Sequence, residues 1–170
     1  MEFNKQTEDF PETFYAFIEI PSGSNMKYEY DEELENIKLD RVLFTSMVYP
    51  MNYGFVLNTK SKDGDPLDVL VVSSVSISPG VIVKCRPIGI ALMEDEEGVD
   101  NKVISVPVDK IDPASADIKT ADDLPQYLKD KMKHFFEHYK ELEKGKFMKF
   151  KGFSSKDDAI KELKEALLKS

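Results

Sequence analysis

Three carboxylates within six residues, in Asp63-Gly64-Asp65-Pro66-Leu67-Asp68, are the densest chemical signal in the sequence. Gly64 permits a sharp turn, Pro66 fixes the backbone, and the apolar run after Asp68 anchors the loop to a strand. Like charges this close repel, and hard hydrated cations relieve the repulsion. Oxygen-only ligands of this kind suit magnesium, manganese or calcium better than zinc. An Asx-rich surface turn would use the same residues. The strand that follows, and a second acidic run in Asp95-Glu96-Glu97-Gly98-Val99-Asp100, favour the metal reading. A calcium EF-hand loop is excluded: counted from Asp63, its fifth, sixth and twelfth places hold Leu67, Asp68 and Ser74, where an oxygen ligand, glycine and glutamate are required. A Walker loop and a dinucleotide-binding glycine fingerprint are absent. One competing motif exists. His134-Phe135-Phe136-Glu137-His138 fits H-x-x-E-H, the pattern of inverted zinc metallopeptidases, and holds both histidines of the chain. A third zinc ligand would have to be a carboxylate, and histidines one turn apart beside an apolar stripe also serve as subunit contacts.

Other charges fall where the pattern asks for apolar residues. Period-two alternation puts Arg41 on a face with Ile37, Leu39 and Leu43, which should be core. The same spacing sets Glu19 beside Tyr15 and Phe17, Asp68 beside Leu70 and Val72, and Lys102 beside Ile104, Val106 and Val108. Buried charges need partners, a cavity or metal ions. Four of them in a small β-body point to a shared polar interior. Lys27 and Glu29 share a face with Asp31 and read, on pattern alone, as solvated.

The elements that must position these residues follow from period and punctuation. Phe14 to Ile20, Asn36 to Phe44, Tyr53 to Leu57, Leu67 to Val72, Val81 to Leu92 and Val103 to Val108 read as strands separated by Pro-Gly, Asp-Gly and acidic turns. Leu124, Leu128, Met132, Phe135, Tyr139 and Leu142 then recur at steps of four and three, giving an amphipathic helix that Gly145 terminates. A second helix starts near Ser154 or Ser155, with Ile160, Leu163 and Leu167 on its stripe. A β-rich body followed by helices is α+β. With 170 residues and no dividing linker, residues 1–170 read as one domain. The net charge of −9 argues against binding nucleic acid. The lone Cys85 reads as a buried core residue, and no basic leader or run of apolar residues long enough to span a membrane occurs. The reading is therefore a cytoplasmic protein without a membrane partner.

The hexapeptide resembles the signature of the soluble family I inorganic pyrophosphatases of prokaryotic type. So do Ile18-Glu19-Ile20-Pro21, Lys27-Tyr28-Glu29, Asp40-Arg41, Tyr49-Pro50-Met51-Asn52-Tyr53-Gly54, Cys85-Arg86-Pro87-Ile88-Gly89, Asp95 to Lys102 and His134 to Lys140, in the same order from about Phe14 to Phe153. The resemblance implies a closed five-stranded OB-like β-barrel with C-terminal helices packed outside and the site at its mouth. It implies magnesium-dependent hydrolysis of pyrophosphate to two phosphates by direct attack of a metal-activated water. By matched position, Asp63, Asp68, Asp95 and Asp100 are metal ligands, and Lys27, Arg41, Tyr53, Lys102, Tyr139 and Lys140 hold pyrophosphate or phosphate. Asp65 orients or deprotonates the water, and Glu19, Glu29, Tyr49 and Glu96 line the site. Several Mg2+ ions are implied, with Mn2+ or Zn2+ as substitutes and Ca2+ inhibitory, in a homohexamer built partly through the His134 to Lys140 helix. Two alternatives accompany this reading: a non-catalytic barrel module for an anionic ligand, and a zinc hydrolase using His134, Glu137 and His138. A nucleic-acid barrel would show a basic groove with stacking aromatics, whereas here the interior cations are interleaved with carboxylates.

Overall fold

Apolar runs broken by glycine, proline and acidic turns form strands β1 (Phe14–Ile20), β2 (Met26–Asp31), β3 (Asn36–Val42), β4 (Asn52–Val56), β5 (Asp68–Val71), β6 (Ile82–Asp95), β7 (Gly98–Val99) and β8 (Lys102–Pro107). Helix α1 (Gln126–His138), strand β9 (Met148–Ser154) and helix α2 (Lys156–Ala166) follow. The computed structural model describes residues 2–168.

Five strands in the order β1, β4, β5, β8, β6 close into a ring, because β6 pairs back onto β1 with Phe14 opposite Cys85. Every pairing in the ring is antiparallel except β5 with β8. β6 can serve four partners because it is 14 residues long; it pairs with β1 at its start, β8 in its middle, and β9 and β7 towards its end. β2 and β3 form a separate two-stranded hairpin. At Gly54 a Cβ would lie 1.8 Å from the Phe17 carbonyl oxygen, so β1 and β4 approach more closely than any other residue would allow.

Alternation along the strands serves both helices. Leu70, Ile104 and Val106 pack in one cluster with Met132, Phe135 and Phe136 of α1. Val69, Val71 and Val103 pack in another with Ala159, Leu163 and Ala166 of α2. Cys85 is fully buried in the second cluster, and burial pushes its thiol up to about 12. A third, smaller cluster stacks Phe17 on Phe55, with Phe3 edge-on to both.

The α+β class and the closure of five strands agree with expectation; several details do not. The face of β3 carrying Ile37, Leu39 and Arg41 is not core, and Leu39 is 49% exposed. The hairpin lies outside the ring, and Asp40 is an extra residue in its register, with Arg41 opposite Lys27 but Leu39 opposite Tyr28. β2, β7 and β9 have no counterpart among the expected strands. In β9, Met148 and Phe150 alternate with Lys149 and Lys151 in a stretch squeezed between two helices. Helix α1 ends at His138 instead of running to Gly145. Three successive turns follow, with Glu141 N–H donating to the His138 carbonyl, Glu143 to Lys140 and Lys146 to Glu143. A continued helix would have buried Leu142 on the apolar stripe; the turns leave it 64% exposed and bury Lys140 instead. Ser155 caps α2 by accepting from the Asp158 N–H at 3.1 Å, as its sequence suggested. Its buried stripe is Ala159, Leu163 and Ala166, with Ile160 and Leu167 only half-buried, since the alanines let the helix lie close on the strands.

Candidate active site

One cavity of about 870 Å³ collects most of the chemistry. Its walls come from the β1 bulge, the β2–β3 hairpin, β4, the loop into β5, the β6–β7–β8 turns and the end of α1. Of the fifteen residues singled out in the sequence, all except Tyr49 and Glu96 line it.

The loop before β5 is built by its own polar groups. The Asp65 N–H donates to Asp63 Oδ1 at 2.9 Å, the Gly64 N–H to the Ser61 carbonyl at 3.0 Å and the Ser61 N–H to the Asp65 carbonyl at 2.7 Å, with Gly64 at φ +93°. Asp65 therefore stands between Asp63 and Asp68 without an ion pair of its own among the described residues. Partial burial, and then the charges of Asp63 and Asp68, hold its carboxyl above the ordinary carboxylate range.

Lys102 is the centre of the floor and only 2% exposed. Its ammonium donates to Asp68 at 2.7 Å, Tyr53 Oη at 2.9 Å and Asp100 at 3.1 Å. Burial works against its charge, but Asp68 and Asp100 outweigh burial and hold it protonated. Burial keeps the Asp100 carboxyl above its usual range even beside Lys102. Burial likewise pushes the Tyr139 phenol up to about 12 and Tyr53 well above its ordinary value, so both present neutral hydroxyl donors.

Glu19 is the extra residue of a bulge in β1, where Ile18 faces Gly54 but Ile20 faces Tyr53. The bulge takes it off the apolar face of Phe17 and turns it to the cavity. Its Oε2 accepts the Tyr30 N–H at 2.8 Å, which pins the hairpin to the ring. Burial pushes its carboxyl up to about 8 despite that bond, with Asp68 adding to the rise. On the hairpin, Lys27 and Arg41 face each other across the strands, a repulsion relieved by Lys27 bonding Glu29 and by Arg41 pairing with Asp40 and with Glu143 at 3.0 Å.

Lys140, at the end of α1, reaches Glu96 at 3.3 Å and Asp95 at 4.0 Å. Glu96 stands behind the wall: it also accepts from Phe147 N–H and pairs with Lys146 at 3.2 Å. Burial opposes its charge, but these backbone and lysine partners hold it down to about 2. Tyr49 is also behind the wall, packed on Tyr53, Phe135 and Tyr139. Glu97 lines the cavity in place of Glu96. It belonged to the acidic run visible in the sequence, but only the β6–β7 turn decides which of the two glutamates faces inward. Glu143 carries no sequence signal at all.

His134 and His138 do not join the site. Their rings lie 4.7 Å apart on the solvent side of α1, with His138 Nδ1 2.8 Å from Glu141, and Glu137 paired to Lys133. The cavity therefore offers a cation oxygen donors with no imidazole or thiolate, chiefly carboxylates such as those of Asp63, Asp65, Asp68, Asp95, Glu97 and Asp100. That donor set fits Mg2+ or Mn2+. Among the described residues no three of these groups converge as a ready-made cage; Lys102 sits between Asp68 and Asp100 and bonds both.

A family model described as inorganic pyrophosphatase matches residues 16–169. An inorganic pyrophosphatase of Thermoplasma volcanium is 71% identical over 166 residues, covering 98% of both chains. One of Aquifex pyrophilus is 52% identical, over 92% of this chain and 89% of its own. Among solved structures, the inorganic pyrophosphatase of Helicobacter pylori superposes with a TM-score of 0.92 at 48% identity, covering 96% of this chain and 95% of the other. That of Thermus thermophilus gives 0.92 at 44% identity, covering 95% and 92%.

Proposed function

This chain belongs to the inorganic pyrophosphatase family and hydrolyses pyrophosphate to phosphate, and we propose that it does so as a single domain with Mg2+ held by Asp63, Asp68, Asp95 and Asp100. The observation that carries the proposal is the cavity itself, where oxygen-only carboxylates face Lys27, Arg41, Lys102, Lys140 and the hydroxyls of Tyr53 and Tyr139. Bound Mg2+ supplies charge neutralisation at the phosphoryl oxygens and lowers the pKa of water.

The chain's own groups do the rest. Arg41, Lys27 and Lys140 on the walls, with Lys102 on the floor, offset the negative charge of pyrophosphate as it enters. Tyr53 accepts from Lys102 through its oxygen, so its own proton is free to donate to a phosphoryl oxygen. Asp65, with a carboxyl biased towards holding a proton, accepts one at Oδ from the attacking water. Glu19 and Glu29 hold the hairpin and its lysine, while Tyr49 backs Tyr53 and Glu96 backs Lys140. This division of labour replaces both alternatives, since the family is a hydrolase of pyrophosphate and the two histidines lie off the cavity.

Manganese, which is paramagnetic and shares the oxygen preference of magnesium, tests the ligand assignment directly. Electron paramagnetic resonance titration of the metal-free protein should show Mn2+ binding that weakens by about tenfold or more in Asp68→Asn or Asp100→Asn. Unaltered binding in both variants would remove these residues from the ligand set. Assembly as a cytoplasmic homohexamer completes the proposal. Large apolar side chains left exposed, among them Phe44, Val48, Leu142 and Phe147, are consistent with it. Sedimentation velocity should give about six times the 19.4 kDa chain mass, and a monomer at micromolar concentration would rule the hexamer out.

A further inference from the structure

We propose that Glu143 is a positioning residue for the reaction: it fixes the Arg41 guanidinium at the angle from which Arg41 meets pyrophosphate. This rests on Arg41 being a substrate-binding group. Glu143 lies in the turns between α1 and β9 and does not itself line the cavity, whereas Arg41 does. Its Oε1 stands 3.0 Å from Arg41 Nε, and its side chain is only 10% exposed. The approach is an ion pair, not a linear hydrogen bond. Asp40 holds a second edge of the guanidinium through Nη1. With those two edges occupied by carboxylates, the planar fork has one edge left for an anion.

The need for such a brace follows from the topology. Arg41 sits on a hairpin that is not hydrogen-bonded to the ring as a strand, and its other carboxylate partner, Asp40, belongs to that same hairpin, so Glu143 is what ties its side chain to the rest of the cavity wall. Glu143 crosses from the segment that also carries Tyr139 and Lys140. A second tie spans the same seam, with Thr45 Oγ1 donating to the Tyr139 carbonyl at 3.3 Å. The pair thus joins the hairpin wall to the helix wall of the cavity.

Electrostatics and positioning make opposite predictions here. A carboxylate one guanidinium away from the anion site repels pyrophosphate, so its neutralisation should tighten substrate binding if charge alone mattered. If Glu143 positions Arg41, neutralisation should weaken it. We expect Glu143→Gln to lower kcat/KM for pyrophosphate at saturating Mg2+ by about tenfold, with Tm shifted by less than about 4 °C. Glu143→Asp should recover part of the loss. In an Arg41→Ala background, or Arg41→Lys if that variant does not fold, Glu143→Gln should cost almost nothing further. An unchanged or raised kcat/KM in Glu143→Gln, or the same loss without Arg41, overturns the proposal. If Arg41→Ala and Arg41→Lys both keep full kcat/KM, the reading of Arg41 fails first and the role of Glu143 falls with it.

Discussion

Asp65→Asn should lower kcat by about 10²–10⁴ while leaving pyrophosphate binding nearly intact. The side chain keeps its size and its place in the turn, where the backbone N–H of Asp65 donates to Asp63 and its carbonyl accepts from Ser61. What disappears is the ability to accept a proton. Asp65 suits that task because it pairs with no lysine or arginine among the described residues, unlike Asp68 and Asp100 on Lys102. Burial and the charges of Asp63 and Asp68 raise its proton affinity above an ordinary aspartate's. The sign of the pH effect follows. The group works as a base only when deprotonated, so activity should fall as pH drops through its pKa. The asparagine variant should lose that acid limb and show a flatter profile. Stopped-flow release of phosphate, followed from neutral pH down through the acid limb, measures both effects. Full turnover at neutral pH in the variant would falsify the assignment.

Removal of divalent metal should stop phosphate release altogether, by more than about 10³-fold, because losing even one electrostatic donor costs roughly 10²–10³. The cavity wall explains the severity. Eleven carboxylates line it, among them Asp63, Asp65, Asp68, Asp95, Glu97 and Asp100, against the four cations Lys27, Arg41, Lys102 and Lys140, and Lys102 is already committed to Asp68 and Asp100. Without added positive charge, such a wall repels pyrophosphate more than it attracts it. Mg2+ returned after chelation should restore the rate, whereas Ca2+, larger and less demanding of octahedral geometry, should bind and support little turnover. Restoration by Zn2+ alone, with Mg2+ inactive, would contradict the assignment.

The sequence disclosed most of this site because its chemistry is concentrated in short runs. Asp63, Asp65 and Asp68 stand in one loop, and Lys102 betrays itself as a charge on a strand otherwise apolar on that side. Resemblance to a family supplied the remaining positions and the five-strand closure, since neither periodicity nor spacing dictates which strands pair. What stayed hidden depends on single inserted residues and on long-range contacts. Counting by twos put Arg41 on a core face because an alternating string shows neither that the β2–β3 hairpin stands outside the ring nor that Asp40 is an extra residue in its register. It put Glu19 beside Phe17 because the bulge in β1 is equally invisible. The early end of α1 was equally hidden, because Leu142 continues the helical spacing that the backbone abandons. Glu143 becomes meaningful only once that turn carries it against Arg41.

The seam at which β1 meets β6 also sets an order of events in folding. Phe14 must wait for Cys85, and the cavity must wait further for Lys102 and then for Tyr139 and Lys140 from the end of α1. Closure across such separations is governed by slow, non-local encounters, placing the fold among those that form in about milliseconds to seconds instead of microseconds. Until β6 arrives, β1 keeps an unpaired edge able to recruit a neighbouring chain. Closing the ring therefore protects the nascent protein from aggregation before it makes an enzyme of it.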